Sequence, residues 1–378
     1  MTLRVPMVDL PSQYRPLRAQ ILAAVTRVTE SQQFIMGPET AALEAELESM
    51  LGVEHAISVS SGTDALLLAL MALGVGPGDD VVMPVYSFFA TAAAAVRLGA
   101  TPVFVDIEPD SFNVDVAQIP PVLSSRTKAL LPCHLFGLSA DLDSLLTLAS
   151  RASIPVVEDA AQAIGATCGS RPVGGFGAFG CFSFYPTKNL GAFGDAGLLT
   201  TNDAGLASRA RRLRVHGMDA RYVHTMVGGN FRMDAMQAAI LRVKAPHLPA
   251  WTEARRQHAA RYRRMFHEAG LTGTVVLPVE PPDRRHVFHQ FVIRVDERDA
   301  LKRHLDARGI GSEVYYPVPL HLQPAFASLG GRPGDFPRAE RAARESLAIP
   351  IHAELSCDQQ QLVVDAIGEF VKGPRGSP

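Results

Sequence analysis

Short apolar runs alternate with helical patterns over the first 250 residues of the chain. Each run has four or five residues and is bounded by glycine, proline or polar residues, which is typical of strands buried on both faces. Segments with apolar residues at helical spacing separate most of these runs. The predicted strands are residues 56–60, 81–85, 102–105, 129–132, 154–158 and 197–201, and the predicted helices are 13–29, 39–51, 61–73, 90–98 and 142–152.

This alternation predicts an α/β fold in which helices cover a mostly parallel central sheet. After residue 248 the order becomes looser and favours a smaller C-terminal α+β domain. The pattern there predicts a helix at 251–269, a strand at 287–295, a helix at 299–308, a strand at 311–316 and two late helices. We therefore predict a large domain at residues 1–248, including an N-terminal helical segment, and a small domain at residues 249–378.

Composition excludes several classes of function. The net charge of the 378 residues is −2, so the chain does not favour nucleic acid or an anionic membrane as a partner. Its longest apolar run, 65–73, is far shorter than the roughly 20 residues that span a bilayer. The four cysteines lie far apart and show no metal-ligand spacing, and the first residues lack the long apolar core of a signal peptide. We expect no metal site and a cytoplasmic protein with reduced thiols.

Polar residues follow several predicted strands at their carboxyl ends, where sheets of this kind bind ligands. Residues 61–64, Ser-Gly-Thr-Asp, open a helix directly after a strand. The free N–H groups of that first turn, with Gly62 and the Thr63 hydroxyl, could bind an anion, although an ordinary helix cap explains the same residues. Ser183 could add a further donor.

Two adjacent carboxylates, Glu158 and Asp159, end another predicted strand, and Gln162 follows one helical turn later. Asp159 could simply cap a helix. Alternatively, a buried acid here could hold a protonated ring nitrogen, a pairing worth about 4 kcal/mol at an effective dielectric constant of about 20, before desolvation is subtracted. Phe88, also just past a strand, could pack in the core or stack on a flat ring.

Residues 181–191 form an apolar, aromatic stretch that nevertheless contains Lys188. A buried lysine is costly unless it is paired or used chemically, and buried lysines lose their proton readily and form Schiff bases. The alternative is a lysine that extends from a strand end into solvent. Together with an anion site, an acid and an aromatic plate, Lys188 indicates pyridoxal 5′-phosphate, whose enzymes combine a lysine Schiff base with an acidic partner.

One further motif points elsewhere. Residues 175–180 satisfy G-x-G-x-x-G, the pattern of dinucleotide-binding turns. That fingerprint requires a helix directly after the glycines, whereas the apolar stretch 181–185 follows here. We therefore reject a dinucleotide site.

These motifs resemble the DegT/DnrJ/EryC1/StrS family of sugar aminotransferases, which have the aspartate aminotransferase fold (pyridoxal phosphate fold type I). The segments that carry the resemblance are 61–66, 99–106, 158–162, 183–191 and 229–234. The resemblance implies that Lys188 forms the Schiff base and moves the proton, and that Asp159 binds the pyridinium nitrogen. It assigns the remaining cofactor contacts to Gln162 on the phenolic oxygen, Phe88 on the ring, and Gly62, Thr63, Ser183 and, from the other subunit of a homodimer, Asn230 on the phosphate.

One position departs from the family pattern. Ala196 stands before Gly197 where many relatives have glycine. If the backbone there has a positive φ, the turn is strained or reshaped.

The resemblance implies an aminotransferase that acts on a nucleotide-linked keto sugar, with L-glutamate as the amino donor. A family dehydratase, in which histidine replaces the lysine, is disfavoured by Lys188. A cofactor-binding regulator without catalysis is a third hypothesis, but no basic DNA-binding segment supports it.

The stretch 315–324 bears on the position that is aminated. It is rich in proline and follows a predicted strand, so it could be a rigid interdomain connection or a wall of the substrate pocket. In the second case Tyr315, Tyr316 or His321 contacts the sugar or the nucleotide. The stretch resembles family members that aminate 3-keto sugars, which favours a 3-keto hexuronate or a 3-keto-6-deoxyhexose over a 4-keto sugar.

Overall fold

A computed structural model describes residues 4–373. Its helices are α1 (Leu10–Tyr14), α2 (Arg18–Ser31), α3 (Pro38–Leu51), α4 (Gly62–Ala72), α5 (Phe89–Arg97), α6 (Leu142–Ala152), α7 (Ala204–Leu213), α8 (Ala235–Lys244), α9 (Leu248–Glu268), α10 (Arg298–Ala307), α11 (Pro337–Glu345) and α12 (Cys357–Lys372). Within the described residues, no helix combines the length and apolar character needed to cross a membrane.

The strands are short. They are β1 (His55–Val59), β2 (Asp80–Pro84), β3 (Thr101–Val105), β4 (Thr127–Leu130), β5 (Val157–Asp159), β6 (Thr167–Cys168), β7 (Arg171–Pro172), β8 (Phe179–Ser183), β9 (Gly197–Thr201), β10 (Met218–Ala220), β11 (Val223–His224), β12 (Arg284–Arg285), β13 (Phe291–Arg294) and β14 (Ser346–Ile349).

The central sheet joins two blocks of strands, β3-β2-β4 and β5-β8-β9-β1. Parallel bridges between Leu130 and Val156 and between Cys133 and Asp159 link the blocks. All neighbouring pairs are parallel except those of β9, which runs antiparallel to both β8 and β1. The mostly parallel sheet predicted from the sequence is confirmed.

Helices cover both faces of this sheet because successive strand residues point to opposite sides. On β2, Val82 packs in one core cluster with α3, α6 and α8, whereas Val81 and Met83 pack in the other with α4, α5 and α7. Leu198 and Leu199 on β9 divide in the same way. Strands buried on both faces explain the uninterrupted apolar runs in the sequence.

A separate apolar core lies in the C-terminal part of the chain, where α9, α10 and α12 pack on the antiparallel pair β13–β14. Val5, from the N-terminal segment, is buried in this core and pairs with Ile310. Helix α9 begins at Leu248. The division into domains at residues 1–248 and 249–378 stays a prediction.

The strand predicted at 311–316 is wrong, because only an isolated bridge between Glu313 and Ala348 forms there. Beyond Glu313, a side chain takes the place of a neighbouring strand. The buried Tyr86 hydroxyl donates to Tyr315 O at 2.7 Å and accepts from Tyr316 N at 2.8 Å. The short strand β14, which provides the partner of Glu313, was not predicted at all.

The glycine-rich residues 174–177 wrap around the carboxylate of Glu158. Glu158 is fully buried, and its two oxygens accept from Gly174 N at 2.7 Å, Phe176 N at 2.8 Å and Gly177 N at 2.9 Å. His134 completes the shell at 3.0 Å. Because Ala140 N donates to His134 Nδ1, the other ring nitrogen, Nε2, carries the hydrogen that Glu158 accepts. The N–H groups of this loop therefore bind an internal anion, the Glu158 carboxylate.

We predict that Glu158→Gln destabilises the fold by about 3–5 kcal/mol, because an amide cannot accept from all four donors at once. Burial raises the pKa of Glu158, but His134 and the backbone N–H groups together lower that pKa by a larger amount, so the net shift is downward. A carboxyl with a lowered folded-state pKa stabilises fully at neutral pH and loses this contribution as the pH falls below about 4.3.

Thermal and urea unfolding of the two proteins between pH 7 and pH 4 measures this difference. Glu369→Gln, in the exposed ion pair with Arg308, is the matched control and should change stability by less than about 1 kcal/mol. Equal stability of Glu158→Gln and wild type at pH 7 would contradict the buried-anion interpretation.

Candidate active site

A cavity of about 530 Å³ lies at the carboxyl ends of the central strands, where the strand order led us to look. We call it the cofactor cavity. Its walls include segments that follow β1, β2, β5 and β8, together with two tyrosines from the C-terminal part. The sequence-predicted residues that line it are Gly62, Thr63, Phe88, Asp159, Gln162, Ser183, Lys188, Tyr315 and Tyr316.

The amino end of α4 forms one end of this cavity. Ser61 caps the helix by accepting from Asp64 N at 3.1 Å, and the first intrahelical bond runs from Ala65 N to Ser61 O. The N–H groups of Gly62 and Thr63 precede that bond, so they remain available at the positive end of the helix dipole. A Cβ on residue 62 would lie 2.7 Å from Ser183 Cβ, so only glycine lets this turn approach the Ser183 side chain. The three residues form an anion cradle.

The turn around Ala196 is not strained. Ala196 is absent from the described residues with positive φ, and its carbonyl accepts from Phe184 N at 2.8 Å. The position that requires glycine is the adjacent Gly197, because a Cβ there would lie 2.4 Å from the carbonyl carbon of Ser61. The family departure at Ala196 therefore leaves the anion cradle intact.

Asp159 is held rigidly at the end of β5. It is 4 % exposed, and it accepts from Thr91 Oγ1 at 2.7 Å and from Ala161 N at 3.2 Å. Since the Thr91 hydrogen points to Asp159, Ser87 Oγ is the donor in its 2.8 Å contact with Thr91 Oγ1. Burial outweighs these donors and raises the pKa of Asp159, so the carboxylate lacks a full counter-charge.

Lys188 lines the same cavity and is half-buried. Burial lowers its pKa to about 8, although the nearby charge of Asp159 acts in the opposite direction. A substantial fraction of this amine is therefore unprotonated near neutral pH, as a nucleophile or a base requires. The lysine at the end of an apolar strand extends into a cavity rather than into open solvent.

Two tyrosines and Phe88 form the opposite wall. Phe88 is 55 % exposed and its ring centroid lies 6.0 Å from that of Tyr316, so Phe88 is not a core residue. Gln162 accepts from Phe136 N at 2.6 Å and donates to Tyr316 Oη at 3.0 Å. Gln162, which follows β5, is thus linked to Tyr316, in the segment whose backbone is hydrogen-bonded to Tyr86.

Two predicted site residues do not line the cavity. His321 is 3 % exposed and its Nε2 lies 3.2 Å from Glu340, with the ring against Phe336. His321 packs behind the wall formed by Tyr315 and Tyr316, which we call the tyrosine wall, so we do not include His321 in the proposed site. Asn230 is exposed and its Oδ1 accepts from Arg232 Nε at 2.8 Å. Its predicted role across a subunit interface stays a prediction.

Several residues of the site were not predicted. Ser87 and Thr91 support Asp159, and the spacing of Thr91, one helical turn after Ser87, was a usable signal. Cys133 and His289 also line the cavity. His289 is distant in sequence from every motif, so only folding brings it near Lys188. No group of three or more metal-ligating side chains occurs within residues 4–373.

The donor set fits pyridoxal 5′-phosphate. The anion cradle of Gly62, Thr63 and Ser183 suits the phosphate, since the close approach there would be blocked by any Cβ on residue 62. The under-compensated carboxylate of Asp159 suits a protonated ring nitrogen. Lys188 supplies the amine, and the exposed face of Phe88 suits a flat ring.

Comparisons with known proteins agree with this geometry. The chain is 48% identical over 98% of its length to a pleiotropic regulatory protein of Geobacillus stearothermophilus, of which it covers 99%. It is 44% identical to a UDP-N-acetyl-3-dehydro-α-D-glucosamine 3-aminotransferase of Acidithiobacillus ferrooxidans, with 98% of each chain covered. The crystal structure of DesV from Streptomyces venezuelae, in complex with a ketimine intermediate, superimposes with a TM-score of 0.95 at 44% identity, covering 98% of this chain and 100% of DesV.

The family model of the DegT/DnrJ/EryC1/StrS aminotransferases matches residues 16–368. That span includes the anion cradle, Asp159, Lys188 and the tyrosine wall. Members of the family depend on pyridoxal 5′-phosphate. The chain therefore belongs to the DegT/DnrJ/EryC1/StrS aminotransferase family.

Proposed function

We propose that this protein is a pyridoxal 5′-phosphate-dependent aminotransferase that converts a nucleotide-linked 3-keto sugar to the corresponding amino sugar. The observation that carries the proposal is the meeting of Lys188, Asp159 and the amino end of α4 in one cavity. An amine with a lowered pKa, a buried acid and an anion cradle are of little use to one another without a ligand that contacts all three.

When bound, the cofactor supplies an electron sink that holds the electron pair of a broken C–H bond. Lys188 Nζ would hold the cofactor covalently, and its free amine would accept and return the proton that moves between the two carbons. Its pKa of about 8 suits both tasks, because the amine can accept and return a proton near neutral pH.

Asp159 stabilises positive charge on the ring nitrogen. The hydrogen bonds from Thr91 and Ala161 fix its orientation, and burial excludes the water that would weaken the contact. Ser87 orients the Thr91 hydroxyl in turn. These residues do not move protons themselves; they hold one carboxylate in place.

The position of amination rests on the wall formed by Tyr315 and Tyr316. The relative in Acidithiobacillus ferrooxidans is named for a 3-dehydro sugar, which supports a 3-keto substrate over a 4-keto substrate. A wall of tyrosines can discriminate between such isomers, because a pocket that bonds one hydroxyl disfavours the isomer that leaves its polar groups unpaired.

L-Glutamate is proposed as the amino donor from the family resemblance alone. The buried thiols of Cys133, Cys168 and Cys181 support the expected cytoplasmic location, where glutamate is available. A regulator without catalysis is suggested only by the name of one relative. A regulator has no need of an amine with a lowered pKa beside a buried acid, so we do not favour this alternative.

A homodimer with shared active sites is proposed from Asn230. This residue is exposed and outside the cofactor cavity of its own chain. Symmetric dimers exchange identical contacts, so each copy could complete the phosphate site of the other.

We predict that Lys188→Ala loses covalent attachment of the cofactor and lowers turnover by about 10²–10⁴-fold or more, since nucleophile and proton carrier are lost together. Borohydride reduction followed by peptide mass mapping should find the adduct on Lys188 in wild type and none in the variant. Lys128→Ala, on the exposed surface, is the control and should retain both properties. A reduced adduct on another lysine would refute the assignment.

We predict that the purified protein aminates 3-keto nucleotide sugars with a higher kcat/KM than their 4-keto isomers. The test supplies L-glutamate with a panel of uridine- and thymidine-diphosphate keto sugars and records product masses and rates. A clear preference for 4-keto compounds would overturn the 3-keto assignment alone. Turnover with none of them, despite covalent cofactor on Lys188, would overturn the sugar aminotransferase proposal.

We predict that Lys188→Ala and Asn230→Ala complement each other after subunit exchange. In a mixed dimer both changes fall on one site if Asn230 acts across the interface, which leaves the other site intact. Each variant is assayed alone and after mixing, with exchange verified by native mass spectrometry. Mixed dimers without recovered activity would show that Asn230 does not act in the partner's site.

A further inference from the structure

A second cavity adjoins the cofactor cavity. It measures about 480 Å³ and shares Thr187, His289, Gln290 and Tyr315 with the cofactor cavity. We call it the rear chamber. Its outer wall is mostly apolar and comes from the N-terminal segment 6–11 and Ile351, and Glu313 is its one carboxylate among the described residues. A reactant held at Lys188 can therefore extend past His289 into this chamber.

His289 has a fixed tautomer. Asn189, the residue after Lys188, donates through Nδ2 to Val287 O at 3.1 Å, so its Oδ1 is the free acceptor. That oxygen lies 3.2 Å from His289 Nδ1, which must therefore carry the hydrogen. The other ring nitrogen, Nε2, is left with a bare lone pair.

The lone pair faces the space between the two cavities. Within residues 4–373, His289 Nε2 has no hydrogen-bond partner, yet it is not among the polar atoms closed off from solvent. His289 is 9 % exposed and borders both cavities, so the accessible part of the ring lies on their walls. An acceptor is thus aimed at whatever occupies that space.

This acceptor does not become a donor at ordinary pH. Burial, followed by the charges of Lys188, Arg255 and the nearby His286, holds the pKa of His289 well below its usual value. Arg255 also fixes the backbone behind the ring, since its Nη1 donates to Phe288 O at 3.1 Å and to Ile351 O at 2.8 Å. The protein therefore sets both the position and the protonation state of the His289 ring before any ligand binds.

The charges of the two cavities indicate which reactant His289 contacts. Within the described chain, Lys188 is the one cationic side chain other than histidine that lines either cavity, and Glu313 adds negative charge to the rear chamber. The carboxylates of an amino acid are acceptors, so they gain nothing from a second acceptor or from Glu313. Sugar hydroxyl and amide N–H groups are donors, and they match an imidazole lone pair.

Resting on the proposed function, we infer that His289 is a specificity-determining residue whose Nε2 accepts a hydrogen bond from an O–H or N–H group of the sugar. Asn189 is its positioning residue. The rear chamber takes the neutral, donor-bearing part of the sugar rather than the side chain of the amino donor. A sugar that lacks this donor leaves the lone pair unpaired and binds more weakly.

Two substitutions test the roles of the two ring nitrogens of His289 separately. His289→Asn places its amide at the Nδ1 position and keeps the contact to Asn189, but it removes the distal acceptor. His289→Gln places an amide oxygen near the Nε2 position. His267→Asn, on the exposed surface of α9, is the matched control.

The cofactor-loaded proteins are titrated by calorimetry with UDP-glucose, dTDP-glucose, UDP and dTDP. We expect His289→Asn to weaken the nucleotide sugars about tenfold relative to the free diphosphates, as the loss of one hydrogen bond implies. His289→Gln should recover most of that difference. In His289→Asn, the rate of the absorbance change driven by L-glutamate alone should fall by a smaller factor than the affinity for the nucleotide sugars.

The role of Asn189 is tested by Asn189→Asp. A carboxylate there raises the pKa of His289, so the imidazole gains a proton on Nε2 as the pH falls and the acceptor is lost. The affinity for the nucleotide sugars should then decrease toward low pH in the variant and not in wild type. A merely structural role would weaken binding equally at every pH.

The outcomes distinguish this inference from the proposed function. Unchanged sugar affinity in His289→Asn, or an equal loss for UDP and dTDP alone, would overturn the role of His289 and leave the aminotransferase proposal standing. A rate of response to L-glutamate that falls by an equal or larger factor than the sugar affinity in His289→Asn would assign the residue to the amino donor instead. Wild-type protein that binds none of the four probes would overturn the proposed function and the inference together.

Discussion

An amine and a carboxyl buried in one cavity, without a full set of counter-charges, are the constraint around which this protein is built. Burial pushes Lys188 and Asp159 toward their neutral forms, and a cofactor that carries a phosphate and a protonated ring nitrogen supplies the missing charges. Asp159 ends β5, and Lys188 lies in the turn that follows the adjacent strand β8, so the pairing of these strands brings the two residues to one end of the sheet. The helix amino end and the stacked aromatic residue then complete a site of fixed size.

Support for that site comes from residues that hold Asp159 and its neighbours in place. Thr91 donates its hydroxyl hydrogen to Asp159 and Ser87 donates to Thr91, whereas Glu158, the residue before Asp159, is turned to the opposite side of the strand. There the carboxylate organises residues 174–177 and fixes His134. Adjacent acids thus have opposite tasks: one is left under-compensated for chemistry, and the other is fully hydrogen-bonded for structure. The alternation of side chains along β5 is the physical reason for the division.

A buried hydroxyl helps to attach the C-terminal part to the site. Tyr86 binds the backbone on both sides of the peptide bond between Tyr315 and Tyr316, and it also contacts Ser346 Oγ at 2.9 Å. The tyrosine wall is therefore attached to the end of β2, one of the strands that carries the cofactor cavity. Arg255 makes a similar link from α9 to the segment of His289. The residues of the C-terminal part that line the cofactor cavity are in this way held beside those at the ends of the sheet strands.

The sequence by itself determined the α/β fold, most elements of the central sheet and most of the predicted residues that line the cofactor cavity, because each of these depends on local signals. Apolar runs of strand length, glycines at steric contacts and polar residues at strand ends are all readable along the chain. Only the tertiary structure decided what the C-terminal part contributes. The segment 311–316 has the sequence pattern of a strand, but its backbone is hydrogen-bonded to the Tyr86 side chain. The side chain of His321 is buried against Glu340 and Phe336. The glycine-rich motif binds Glu158, and His289 comes to lie near Lys188. These outcomes depend on partners distant along the chain, and no pattern of neighbouring residues encodes which distant group supplies a hydrogen bond.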